Sequence, residues 1–325
     1  CGNTVVVKPS EKDPSAIMFM AQLWKEAGLP DGVFNVVHGD KEAVDALLTH
    51  PGIKSVSFVG STPIARYVYE TGTKAGKRVQ ALGGAKNHMI VLPDADLELA
   101  ADAAINAGFG SAGERCMAIS AIVAVEPIAS ALVARIKSRM ASIKTGDGTQ
   151  GSDMGPLVTK VHRDKVASYI EAGSKEGATV VVDGRTLEIA GDGFWLGPTL
   201  FDHVSPEMSI YKDEIFGPVV SVLPFKDFDE VVARANDTFY GLAAGVWTKN
   251  IDKAHNYAAA IKAGTVWVNC YHIVDTTTPF GGFKMSGQGR ENGEEALDQR
   301  GQDRAAHRVI SPSLAVARAQ ARPGK

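Results

Sequence analysis

The chain has 325 residues, of which 45% are hydrophobic and 22% charged, and its formal net charge is −3. This balance is typical of a globular protein large enough for two domains, and it excludes a nucleic-acid surface built on excess positive charge. No apolar run is long enough to span a membrane and no stretch is typical of a secretion signal. We therefore expect a cytoplasmic protein, or one of the mitochondrial matrix if the source is eukaryotic.

The cysteines and histidines argue against a metal or a disulfide framework. The three cysteines, Cys1, Cys116 and Cys270, are far apart and form no C-x-x-C pair. Scattered cysteines of this kind fit a reducing compartment. The eight histidines show no metal-ligand spacing, so we predict no metal site.

Residues 1–86 alternate between strand and helix patterns. Apolar runs at 4–7, 33–37, 54–59 and 78–82 predict strands, and 16–27, 41–49 and 63–71 predict helices. This alternation predicts a doubly wound parallel sheet in an α/β fold, with ligands at the carboxyl ends of the strands. Cys1 stands directly before the first strand and is not preceded by a Met, so we expect this sheet to be N-terminally truncated.

Two of these strand ends carry groups suited to a nucleotide. Lys8 and Glu11 follow the first strand, and a carboxylate there can accept hydrogen bonds from a ribose diol while repelling a 2′-phosphate. Gly60 and Ser61 follow the third strand at a predicted helix N-terminus, where free N–H groups favour a phosphate. The alternatives are a solvated turn and an ordinary N-cap, and no G-x-G-x-x-G fingerprint is present.

The rest of the chain predicts a second α/β unit and two terminal segments. We place a catalytic domain at 87–284, with helices at 97–108, 128–140, 161–176, 227–236 and 249–263 and strands at 119–125, 178–182 and 265–269. Further strand-like pieces lie at 194–199 and 209–225. Residues 285–299 form a return segment near the active site. Residues 300–325, rich in Arg, Ala and Pro, predict a disordered tail.

A lone cysteine between the helix at 97–108 and the strand at 119–125 is the candidate nucleophile. Small residues surround Cys116, and Arg115 precedes it directly. A neighbouring cation lowers the pKa of a thiol and makes it reactive, so Arg115 could activate Cys116. The alternative is a buried cysteine that serves as a small apolar side chain.

Several strings resemble the aldehyde dehydrogenases. They are Lys8-Pro-Ser-Glu11, Phe58-Val-Gly-Ser61, Gly113-Glu-Arg-Cys-Met-Ala118 and Glu214-Ile-Phe-Gly-Pro218. The resemblance covers 1–299 and implies that the 1–86 sheet is the C-terminal part of an NAD-binding domain. It further implies that Glu214 holds the nicotinamide ribose, that Phe216 lies against the nicotinamide, and that the chain forms a homo-oligomer.

The segment before the catalytic unit departs from the hydrolytic members of that family. Where those enzymes carry a glutamate that activates water, this chain has Leu82 or Ala81. Gly84-Ala-Lys-Asn-His88 instead resembles the CoA-acylating methylmalonate-semialdehyde dehydrogenases, as do residues 1–218 in general. By the same resemblance Arg115 would bind a substrate carboxylate, a task suited to a guanidinium.

Residues 219–299 are more similar to the hydrolytic aldehyde dehydrogenases. In Gly289-Arg-Glu-Asn-Gly293 the resemblance makes Glu291 a second candidate proton acceptor. We therefore predict an NAD-dependent enzyme that converts a (methyl)malonate-semialdehyde-like aldehyde to an acyl-CoA through a Cys116 thioester. The alternatives are hydrolysis to a free acid, a catalytically inert piece, and a thiol hydrolase, for which no His–Asp arrangement near Cys116 is suggested.

Overall fold

The structure is a computed structural model that describes residues 2–189, 191–294 and 296. The tail predicted at 300–325 and the end of the return segment lie outside the described residues. Among the residues that are described, no helix is long and apolar enough to cross a membrane.

The first unit contains every strand and helix predicted for residues 1–86. Its elements are β1 (Val5–Val7), α1 (Ser15–Glu26), β2 (Phe34–Val36), α2 (Lys41–Thr49), β3 (Ser55–Val59), α3 (Thr62–Lys74) and β4 (Arg78–Leu82). The strands pair in parallel, β1 with β2 and β3 with β4, but these are two separate pairs and no continuous sheet joins them in the described part. The far edge of β4 is taken by a late strand, β14 (Gly287–Gln288), through antiparallel pairing of Gly287 with Leu82.

The second unit is built on a seven-stranded sheet. Its strands are β5 (Asn87–Val91), β6 (Ile119–Val125), β7 (Thr179–Val182), β8 (Thr199–Asp202), β9 (Val219–Phe225), β11 (Ala243–Trp247) and β12 (Thr265–Val268). Their order is β12-β11-β5-β6-β9-β8-β7, parallel except for the β7–β8 pair. Two short strands, β10 (Tyr240–Gly241) and β13 (Phe283–Lys284), pair outside this sheet.

Helices cover both faces of the seven-stranded sheet. They are α4 (Leu97–Phe109), α5 (Glu126–Met140), α6 (Lys160–Lys175), α7 (Ser209–Lys212), α8 (Phe228–Asn236) and α9 (Ile251–Ala260). In β5 the fully buried Met89 and Val91 join the core beneath α4 and α5, while Ile90 joins the core beneath α8 and α9. Burial on both faces explains why β5 has no polar alternation.

The structure corrects several element predictions. Strands β5 and β11 were not predicted, because their short apolar runs abut glycine-rich loops and carry no period-2 signal. The stretch 194–198 is not a strand, and the ladder begins at Thr199 beside β9. Residues 209–225 divide into α7 and β9, with the Glu214 to Pro218 loop between them.

Candidate functional site

The loop that carries Cys116 is a strained turn between α4 and β6. Ser111 and Ala112 have left-handed φ angles of 52° and 54°, which are uncommon for residues with a side chain. Gly113 follows with φ 70°, and a Cβ at this position would collide with the carbonyl of Gly217. The Cys116 loop therefore packs backbone to backbone against the loop after Phe216, and only glycine fits that approach.

Asn87, in the first position of β5, fixes the same loop from the sheet side. Its Nδ2 donates to the carbonyl of Cys116 and to the carbonyl of Ala118, both at 2.9 Å. Its Oδ1 accepts from the N–H of Ala243 at 3.1 Å. One buried amide thus joins the Cys116 loop to two neighbouring strands.

Burial and nearby charged groups set the electrostatics at Cys116. Burial raises the pKa of the Cys116 thiol, and the carboxylates of Glu291 and Glu214 raise it further. The N–H groups of Met117 and Cys116 act in the opposite direction. The guanidinium of Arg115 is directed to Ser111 and His272, and activation of the thiol by Arg115 stays a prediction.

Four predicted site residues line one cavity. Arg115, Cys116, Glu214 and Phe216 surround it together with Asn87. Phe216 has a left-handed φ of 55° and leaves 39% of its surface exposed, so its ring is available for a flat ligand. The structure therefore assembles these residues, while their individual roles stay predictions.

Glu214 is held beside the glycines that follow β4. Its Oε1 accepts from the N–H of Ala85 at 2.8 Å, and a Cβ at Gly84 would collide with its Oε2. Burial raises the pKa of Glu214. The buried Lys86 donates to the carbonyls of Ile210 and Asp213, at 2.8 Å and 2.9 Å, and so anchors the chain just before Glu214.

Arg115 and Glu114 do not pair with each other. The guanidinium of Arg115 contacts Ser111 and His272, whereas Glu114 Oε1 lies 3.4 Å from His162 Nε2. That His162 nitrogen lies 2.6 Å from the carbonyl of Phe216. Glu114 is only 12% exposed, and burial raises its pKa to about 7. The glutamate is therefore not the solvated residue of a simple turn.

Glu291 lies in the return segment and does not line the cavity, although its charge raises the pKa of Cys116. The backbone N–H of Glu291 donates to the carbonyl of Phe280, and the N–H of Phe280 donates to the carbonyl of Glu291, both at 2.7 Å. The side-chain Oε1 of Glu291 accepts from Gln80 Nε2 at 3.2 Å. Leu82 and Ala81 are buried hydrocarbons in β4, where a hydrolytic base would stand in the resembled family. Of these positions, only Glu291 can therefore accept a proton.

The predicted dinucleotide residues lie at the strand ends of the first unit. Lys8 Nζ donates to the carbonyl of Gly39 at 2.9 Å and lies 3.5 Å from Glu11 Oε2. Gly60 and Ser61 lead into α3, and no side chain caps its N-terminus. Glu11 and Ser61 are exposed, whereas the side chain of Lys8 is only 13% exposed.

Several site residues were missed by the sequence analysis: Gln80, Asn87, Ser111, His162 and His272. Ser111 lies only four residues before Arg115 and Asn87 lies in the string Gly84-Ala-Lys-Asn-His88, whereas Gln80, His162 and His272 reach the site by long-range packing. The available signals were the family string for Asn87 and the spacing of four residues to Arg115 for Ser111. Among the described residues no group of three His, Cys, Asp or Glu side chains could hold a metal.

Comparison with known proteins adds to this geometry. A malonate-semialdehyde dehydrogenase of Pseudomonas aeruginosa is 51% identical over 297 residues, which cover 88% of this chain and 59% of that protein. The crystal structure of a methylmalonate-semialdehyde dehydrogenase from Oceanimonas doudoroffii superposes with a TM-score of 0.90 at 47% identity, over 92% of this chain and 63% of that one. The chain thus spans about three fifths of the length of these relatives.

A second crystal structure was solved with NAD. It is that of a candidate methylmalonate-semialdehyde dehydrogenase from Sinorhizobium meliloti, with a TM-score of 0.90 at 48% identity, over 92% of this chain and 62% of that one. The sequence model of the aldehyde dehydrogenase family matches residues 1–304. The chain belongs to the aldehyde dehydrogenase family.

Proposed function

We propose that the protein oxidises a malonate- or methylmalonate-semialdehyde-like aldehyde with NAD and transfers the acyl group from Cys116 to CoA. The observation that carries this proposal is the pair of buried hydrocarbons, Leu82 and Ala81, in place of a base that could activate water. The names of the relatives, which are malonate- and methylmalonate-semialdehyde dehydrogenases, support the substrate class.

The residues of the cavity suit the first step. The Cys116 thiolate adds to the aldehyde carbon, and we expect the Cys116 backbone N–H to stabilise the oxygen that becomes negative. Arg115 lies beside the nucleophile and can hold a substrate carboxylate with two parallel N–H bonds. Collapse of the adduct leaves an acyl thioester on Cys116.

NAD is the proposed cofactor. The exposed ring of Phe216 and the carboxylate of Glu214 support this proposal. Glu214 would hold the nicotinamide ribose and Phe216 would lie against the nicotinamide, while Lys8, Glu11, Gly60 and Ser61 would bind the adenosine and phosphate end. When bound, NAD supplies the acceptor for the hydride that leaves the Cys116 adduct.

Release of the acyl group distinguishes two functions. Attack by the CoA thiolate on the thioester carbon displaces the Cys116 thiolate and requires no protein base. Attack by water requires a base within hydrogen-bond reach, and loss of such a base typically costs on the order of 10²–10⁴ in rate. Hydrolysis to a free acid is the second candidate function, because Glu291 lies close enough to Cys116 to raise the thiol pKa.

The experiment follows NADH and the acyl product with malonate semialdehyde, with and without CoA. We expect NADH formation to require CoA and mass spectrometry to show an acyl-CoA, with Cys116→Ala inactive. Equally fast NADH formation without CoA, with a free acid as product, would contradict the CoA proposal. No NADH with a panel of semialdehydes, from a protein that binds NAD, would support the catalytically inert alternative.

The remaining expectations belong to the same proposal. We propose a cytoplasmic location and a homo-oligomer, as the family resemblance implies, and gel filtration would test the latter. We keep the domain division at 1–86, 87–284 and 285–299, which the placement of β4 and β5 in different sheets supports. The relatives named above are bacterial and lend no support to the mitochondrial alternative.

A further inference from the structure

We propose that Ser111 and His272 are positioning residues that hold the Arg115 guanidinium in one orientation, so that the Cys116 cavity selects electrophiles with a carboxylate close to the reacting carbon. The inference deepens the proposed function and rests on it for the class of substrate. The preference of Cys116 for a small electrophile that carries a carboxylate can be measured without NAD or CoA.

Three neighbours fix the guanidinium. Arg115 Nε donates to Ser111 Oγ at 3.1 Å, and Arg115 Nη1 lies 3.5 Å from His272 Nδ1. A Cβ at Gly110 would lie 2.7 Å from Nη1 and 3.2 Å from Cζ, so the guanidinium rests across the backbone of a glycine. Arg115 is an exposed residue of a flexible type, and without such contacts its side chain would sample many rotamers.

The hydrogen bonds define the role of His272. Its Nε2 lies 3.4 Å from the carbonyl of Met117, an oxygen that can only accept, so Nε2 carries the proton. Its Nδ1 is then an acceptor for Arg115. Burial lowers the pKa of His272 and keeps the ring neutral. Both ring nitrogens are engaged, so His272 is not placed as a base for Cys116.

The backbone and the aromatic neighbours hold His272 in this place. His272 has a left-handed φ of 59°. The centroid of its ring lies 6.3 Å from that of Trp267, which it meets edge-on, and 4.9 Å from that of Tyr271. Trp267 in turn donates to the carbonyl of Ile273 at 2.9 Å. These contacts therefore fix the position of Nδ1 of His272.

The remaining N–H groups of the Arg115 guanidinium can bind a carboxylate. A guanidinium has five N–H bonds, and Ser111 and His272 engage two of them. Among the described residues Arg115 forms no ion pair, so both hydrogens of Nη2 and one of Nη1 are left as a fork for two oxygens.

A fixed cation matters in this cavity because the other charged side chain that lines it, Glu214, is a carboxylate. Glu214 and Glu291 both raise the pKa of Cys116, so their carboxylates act on the space where the substrate reacts. They repel an anionic electrophile, and a guanidinium held at the cavity offsets that repulsion. A mobile Arg115 would do so less well, since the entropy of ordering it would be lost on each binding event.

The test compares alkylation of Cys116 by iodoacetate and by iodoacetamide. In both reactions Sγ forms a bond to the CH₂ carbon and iodide leaves, but only iodoacetate carries a carboxylate. The rate ratio of the two reagents is measured by peptide mass spectrometry and divided by the same ratio for free cysteine. A change that merely opens or closes the site alters both rates and leaves this ratio unchanged.

We expect Arg115→Met to lower the ratio about tenfold, since charge-assisted hydrogen bonds are among the stronger ones. Ser111→Ala and His272→Ala should lower it about threefold or more. His272→Asn should restore it, because the Asn Oδ1 can replace Nδ1 as acceptor. His203→Ala is the matched control: His203 is also left-handed, with φ 54°, but it is exposed and pairs with Asp202.

Two results would overturn the proposal. An unchanged ratio in Arg115→Met would show that the cation does not select the carboxylate. A fall in Arg115→Met alone, with Ser111→Ala and His272→Ala equal to the parent, would show that these residues do not position it. Thermal melts identify any unfolded variant, and Ser111→Ala and His272→Ala remove the two contacts separately. Because no aldehyde or CoA is present, failure of the proposed function would leave this ratio intact.

Discussion

The side-chain amide of Asn87 donates to the backbone carbonyl of Cys116 at 2.9 Å, so the first residue of β5 holds the loop that carries the candidate nucleophile. The same amide binds the carbonyl of Ala118 and accepts from the N–H of Ala243. Three backbone groups from different parts of the chain therefore depend on one buried side chain.

Asn87→Ala should lower the stability and disorder the Cys116 loop. Each buried polar group left without a partner costs about 1–3 kcal/mol, so we expect a loss of at least about 2 kcal/mol in urea unfolding. The rate of Cys116 alkylation by iodoacetamide should change as well. Asn250→Ala removes only the N-cap of α9, at about 1 kcal/mol, and should leave that rate unchanged. An Asn87→Ala protein with parental stability would contradict this account.

The ionisation of Cys116 should respond to two carboxylates. Because Glu291 and Glu214 raise the pKa of the thiol, Glu291→Gln and Glu214→Gln should each lower it. The midpoint of the pH profile for alkylation by iodoacetamide should move down, and the rate at pH 8 should rise severalfold. Glu126→Gln, on the exposed first turn of α5, serves as the control. A midpoint unchanged by both variants would show that these carboxylates do not act on the thiol.

Glu114 should make the stability depend on pH. Burial raises its pKa from 4.5 to about 7 in the folded protein, so the folded state binds this proton more tightly than the unfolded state. The contribution of protonated Glu114 to the free energy of unfolding is complete below about pH 4.5 and is lost as the pH rises through about 7. Glu114→Gln should therefore match the parent near pH 4.5 and be more stable at pH 8, by no more than about 3 kcal/mol.

Urea unfolding at the two pH values measures this effect. Glu171→Gln is the control, since Glu171 is exposed and its pKa is lowered by Lys175. A Glu114→Gln variant less stable than the parent at pH 8 would refute the prediction.

Glu11 should favour NAD over NADP. Its carboxylate is half-exposed at the end of β1, where it would repel a 2′-phosphate. Glu11→Gln should reduce the ratio of the affinities for NAD and NADP, because NAD binds less tightly, NADP binds more tightly, or both. Competitive titration measures this ratio. Glu26→Gln removes the same charge from the exposed last turn of α1 and is the control. Tighter binding of NADP than of NAD by the parent protein would show this assignment to be wrong.

Local sequence signals determined the elements of the first unit. The apolar runs and caps of residues 1–86 give all four strands and all three helices, because each depends on neighbours in sequence: Asp40 caps α2 by accepting from Glu42. Two aspartates, Asp94 and Asp96, precede α4, and aspartate is a residue type that caps helices. The structure selects Asp96, which accepts from Glu98 and Leu99, because Asp94 is engaged by Thr248, 154 residues away.

Only the tertiary structure decided the surroundings of Cys116. The sequence placed Arg115, Cys116, Glu214, Phe216 and Glu291 in motifs, and folding brings Asn87 and His272 to the same loop through contacts that no short spacing records. Folding also buries the thiol, and this burial raises its pKa. The charge of Arg115 is visible in the sequence, whereas burial and the approach of Glu214 and Glu291 are long-range properties, and these set the pKa of Cys116.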